Sequence, residues 1–141
     1  MAKTINTNID DGILNFTFTN NEDEVFSSFK LNPTDINVAA RAEEVIEYFK
    51  QFEDSIQKAT SGKEMAELNK QIEDKINYLL GYEASKDLFK EPITATTVFG
   101  NGQVFVYIVL DKIVEAIAPV IEKRKKKMQA AANKYTEKYI K

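Results

Sequence analysis

Residues 103–121 read QVFVYIVLDKIVEAIAPVI, the most apolar run in the chain, set between an acidic body and a basic end. At helical spacing Val106, Leu110, Ile113, Ile117 and Ile121 fall on one stripe, and Val109, Val114 and Ala116 widen it. That is the pattern of a buried helix face. Residues 104–110 are rich in β-branched and aromatic side chains and also read as a strand. Length decides for helix, because the periodicity outlasts a strand of about 5–6 residues. A membrane span needs roughly 20 mostly apolar residues, and Asp111, Lys112 and Glu115 interrupt this run. The stretch is expected to be the core helix against which the rest folds.

Beyond it, Pro119 must either kink that helix or restart it as a first-turn residue. Eight basic residues (Lys123, Arg124, Lys125, Lys126, Lys127, Lys134, Lys138 and Lys141) then face only Glu122 and Glu137. The last twenty residues carry about +6, leaving about −9 for the remainder of a chain whose net charge is −3. This basic tail (122–141) has good helix formers but a thin apolar face of Met128, Ala131, Tyr135 and Tyr139, and is expected to project as a helix.

Upstream, Gly100-Asn101-Gly102 reads as a tight loop. It resembles a phosphate loop only in outline, since no Lys-Ser or Lys-Thr follows and no βαβ pattern flanks it. Residues 93–99 read as extended, and 82–89 as a short helix stopped before Pro92. A helix is expected over about 63–80, with Met65, Leu68, Ile72, Ile76 and Leu79 inward and Gly81 at its C-terminal cap. An earlier helix carries Val38, Ala42, Val45, Phe49, Phe52 and Ile56 at alternating spacings of four and three, and ends at Thr60-Ser61-Gly62. Asn32 would cap it with Pro33 in the first turn, or Asp35 or Asn37 would cap a later start. The two helices are expected to pack as an antiparallel pair.

Residues 12–31 read as a β-hairpin. Leu14, Phe16 and Phe18 alternate with Asn15, Thr17 and Thr19, turn chemistry follows at 20–23, and a second extended run covers 25–31. Residues 1–11 are polar and expected to be mobile. The fold expected is mainly α (α+β): one domain in which the hairpin packs on a helical core over 32–121.

Cysteine and histidine are absent. Disulfide frameworks, the usual zinc, haem, copper and iron–sulfur sites, and Cys–His or Ser–His–Asp nucleophiles therefore lose their ligands or bases. The acidic pairs at 10–11, 22–24 and 43–44 read as solvated surface. No catalytic constellation, metal site or cofactor site is expected, and the protein is read as a non-enzyme. MAKTINTNIDDG lacks the apolar core of a signal peptide, so residence in the cytoplasm is expected.

Interaction surfaces remain. A hairpin edge accepts strand addition, with Phe16, Phe18 and Phe29 as candidate contacts. Lys123, Arg124, Lys125, Lys126 and Lys127 read as a solvated helix end, as a dock for an acidic protein surface including another copy, or as a phosphate-binding patch. Tyr135 and Tyr139 form either a packing face or a stacking pair.

Two stretches carry a resemblance: FKLNPTDINVAAR after the hairpin, and INYLLGYEASKDLFKEP leading through Gly-Asn-Gly into FVYIVLDKIVEAIAPVIEKRKKK. Their order resembles the tail assembly chaperone-like proteins of long-tailed phages and prophages of Gram-positive bacteria. The resemblance implies a non-catalytic protein that coats the long helical tape measure protein, recruits tail tube subunits and leaves before the tail is finished. Such proteins are often made in a longer frameshifted form. The bipolar charge fits reversible head-to-tail association of copies. The alternative reading is a small nucleic-acid-binding or regulatory protein acting through the basic helix.

Overall fold

The structure, a computed structural model, describes residues 2–139, without the side chains of Glu53, Tyr135, Lys138 and Tyr139. In chain order it comprises β1 (Leu14–Thr19), β2 (Val25–Leu31), α1 (Ile36–Lys50), α2 (Phe52–Lys58), α3 (Gly62–Leu80), α4 (Ser85–Leu88) and α5 (Phe105–Tyr139). It is a mainly α protein with an N-terminal antiparallel hairpin and a long C-terminal helix.

The hairpin closes as its turn residues dictate. Asn20 accepts the N–H groups of Glu22 and Glu24 through Oδ1, at 2.8 and 3.1 Å. Asp23 sits at φ 60°, the left-handed position that ends a three-residue hairpin loop. In the ladder Phe16 lies opposite Phe29, and their rings stack at 4.7 Å.

Asp35, not Asn32, caps α1, its carboxylate accepting from the Asn37 N–H at 2.9 Å. Asn32 instead closes the preceding turn through Thr34 at 3.1 Å, and Pro33 is buried there rather than opening the helix. Val38, Ala42, Val45 and Phe49 face inward as their spacing requires. The helix expected to run on through Ile56 is interrupted at Gln51, and α2 begins at Phe52. Phe52 stays in the core while Ile56 turns outward, 38% exposed.

Ser61 caps α3 through the Glu64 N–H at 3.2 Å, and Glu64 returns a bond to the Thr60 N–H at 3.1 Å. This is a near-reciprocal cap one residue longer than the usual box. Gly81, at φ 81°, ends the helix in the left-handed conformation. The α1–α3 pair is antiparallel: Arg41 donates to the Leu79 carbonyl, Tyr78 donates to Glu44, and Lys75 lies over the Tyr48 ring. Positions rise along one helix as they fall along the other.

Helix α5 runs antiparallel to α1 as well, since Phe49 meets Tyr107 at 6.0 Å and Arg124 reaches the Thr34 carbonyl at 2.9 Å. Phe105, Val106, Val109, Leu110, Ile113 and Ile117 are buried. Val114 and Ile121 are not, at 42% and 37% exposed, so the apolar stripe is narrower and shorter than its sequence indicates. Pro119 neither breaks nor restarts α5, which is continuous through it. Both Pro119 and Glu115 are exposed, so water can satisfy the carbonyl that lost its N–H partner.

Residues 93–104 form turns and one bridge, Val98 to Val104, rather than an extended run. This segment closes the start of α5: Phe105 donates to the Thr97 carbonyl at 2.9 Å and Val106 to that of Ala95 at 3.0 Å. Asn69 of α3 holds it by accepting from the Thr96 N–H at 3.1 Å. The short helix expected over 82–89 contracts to the four residues of α4.

Of the nine phenylalanines, all but Phe49 and Phe52 join one cluster. Phe105 is its hub, with ring contacts to Phe18, Phe26, Phe89 and Phe99 at 5.3–5.9 Å. The hairpin, α4 and the loop before α5 therefore converge on the first residue of the core helix.

Candidate interaction surfaces

The second half of α5 leaves the body. Every described residue from 121 to 134 is exposed, and at 1.5 Å per residue the part beyond Arg124 extends on the order of 20 Å. Lys123, Lys125, Lys126 and Lys127 point into solvent, with Lys125 3.9 Å from Glu122. Arg124 differs, because its Nη1 is committed to the Thr34 carbonyl and ties the arm to the start of α1. Met128, 63% exposed, is the apolar member of this surface. The side chains of Tyr135 and Tyr139 lie outside the described residues.

The hairpin offers two unequal edges. The Lys30 N–H donates to the Tyr82 hydroxyl at 2.7 Å, and Ser27 Oγ donates to the Leu88 carbonyl at 2.7 Å. Tyr82 thus occupies the outer edge of β2 at Lys30, and α4 packs on the face of β2 at Ser27. Since the Lys30 N–H points away from β1, Asn15 and Lys30 form a non-hydrogen-bonded pair, as do Thr17 and Ser28 two residues along. The N–H and C=O groups of Asn15 and Thr17 therefore point outward from β1, and none bonds to another described residue.

Of the hairpin aromatics, Phe29 is 2% exposed and belongs to the core. It cannot serve as a surface contact, a correction that follows from its stacking between Phe16 and Phe18. Phe16 and Phe18 are half-buried. Phe18 also lines a 680 Å³ groove with Phe26, Phe99, Phe105 and Ile108, between the hairpin tip and Gly100.

The Gly100-Asn101-Gly102 loop is closed on itself. Gly102 donates to the Phe99 carbonyl at 2.9 Å, and Gln103 to Asn101 Oδ1 at 3.0 Å. The first α5 amides, Phe105 to Ile108, are occupied too, so the helix start does not present them to a phosphate. Titration gives no acid–base pair either. Burial raises Tyr48 and Tyr82, the latter opposed by the Lys30 N–H; the bond to Glu44 raises Tyr78; burial and Asp74 raise Glu73. Glu73 and Tyr78 share α3, Tyr48 is on α1 and Tyr82 follows Gly81, and no two of them line one described cavity.

Among the described residues no group of His, Cys, Asp and Glu could hold a metal ion, and no helix is long and apolar enough to cross a membrane. In comparison with known proteins the chain matches no family model, no curated protein and no solved structure.

Sequence reading located the arm and the hairpin, but missed that Tyr82 closes one edge. The signal available was the Tyr82 hydroxyl, since a tyrosine that packs inward usually finds a hydrogen-bond partner.

Proposed function

We propose that this protein is a non-catalytic assembly chaperone of the phage and prophage tail class, which holds the tape measure chain and tail tube subunits. The observation that carries the proposal is the projecting half of α5, a cationic helical arm held clear of an acidic body. A rigid amphipathic arm fits helix-on-helix or acidic-surface docking, and the order of sequence features resembles that class. Copies can also meet head to tail, arm on body, with an affinity that falls as salt screens the charges.

The cationic run equally favours a second reading, nucleic-acid binding through phosphate contacts. A tagged pull-down from cells expressing the native gene cluster separates them. Nuclease-treated lysate washed at low salt should retain a long helix-rich chain or tube subunits, and charge reversal at Lys123, Lys125, Lys126 and Lys127 should release them. Recovery of nuclease-sensitive material alone would replace the chaperone reading with the nucleic-acid one.

A further inference from the structure

We infer that the outer edge of β1 is a strand-addition site for an extended, uncharged segment flanked by basic residues. Three observations converge on it. The outward N–H and C=O groups of Asn15 and Thr17 make no bond to a described residue, whereas the corresponding side of β2 is closed by Tyr82. Leu14–Thr19, LNFTFT, carries no charge and no proline, the usual devices that blunt an edge strand. Exposed acids stand at both ends of that neutral stretch, Asp10 and Asp11 before it and Glu22, Asp23 and Glu24 after it.

The charge pattern selects the occupant. An added strand of about six residues spans the neutral edge, and lysines or arginines at either end then meet the acids. A second copy of β1 is the wrong partner. Paired antiparallel about a twofold axis through Thr17, it would set Asp11 against Asp23 and Asp10 against Glu24, like charges in register. The added strand gains main-chain hydrogen bonds at Asn15 and Thr17, while its alternate side chains lie beside those of Asn15 and Thr17 on the polar face.

This site is separate from the α5 arm, so its test can fail while the pull-down succeeds, and the reverse. The probe is a synthetic peptide of alternating threonine and valine, six residues long, with two lysines at each end. Against the full chain it should bind about tenfold more tightly than the same peptide with glutamates at its ends. Amide exchange at Asn15 and Thr17 should slow by about tenfold on binding, with no change at Phe16, already bonded within the hairpin. The same lysine-flanked peptide N-methylated at all six central residues keeps its charge but cannot pair through either edge, and should lose binding. No binding, equal binding of the glutamate-flanked or N-methylated peptide, or binding without protection of Asn15 and Thr17 would each overturn the inference.

Discussion

The two halves of α5 are one continuous helix with opposite relations to solvent. From Phe105 to Ile117 a row of buried side chains anchors it to the hairpin, α1 and the loop before it. From 121 onward every described residue is exposed. An isolated helix of about 12–15 residues is marginal in water because nucleation is costly. The arm avoids that cost by propagating from turns already fixed by packing, helped by its lysines, glutamine and alanines. The difference teaches that burial in one half supplies order to the other, so the arm can be all surface without being loose.

The largest effect expected on this contrast is at the hub. Phe105→Ala removes ring contacts to four elements and should cost about 3–5 kcal/mol in denaturant unfolding. A smaller loss would mean the cluster repacks. Next comes a matched pair: Ile113→Ala should cost about 2–5 kcal/mol, and Met128→Ala should stay within about 0.5 kcal/mol. Equal costs would break the comparison, since they would place Met128 against something in the monomer. At the joint, Pro119→Ala restores an amide donor and should stabilise by about 1–3 kcal/mol, read as slower exchange of the amides of the following turn. The smallest loss expected from a contact is at the tie. Arg124→Ala removes an exposed bond to the Thr34 carbonyl and should cost about 0.5–1.5 kcal/mol, with faster exchange in the arm than in the body.

What was legible in the sequence was local and periodic. The stripe on α5, the inward faces of α1 and α3, the αL glycine at 81 and the hairpin with its alternating phenylalanines all follow from spacing. Val114 and Ile121 misled because periodicity shows which face is apolar but not how far the body beneath it extends. The break at Gln51 was hidden because Phe52 keeps the four-three spacing across it and no glycine or proline marks the site. Phe29 was legible as part of the hairpin, but the sheet face that packs inward made it core instead of contact. The unequal edges were not legible at all. They depend on Tyr82 reaching Lys30 across 52 positions, and no local pattern encodes such a meeting.

The hub position of Phe105 also sets a timetable. Phe16, Phe18, Phe26 and Phe29 emerge early in synthesis, and a lone hairpin is marginal in water. Phe105, on which Phe18 and Phe26 pack, lies some 79 residues beyond Phe26. At about 5–20 residues per second the ribosome needs on the order of 4–15 s to deliver it. For that interval the growing chain exposes a greasy, unpaired ribbon, and its native topology closes only when α5 arrives.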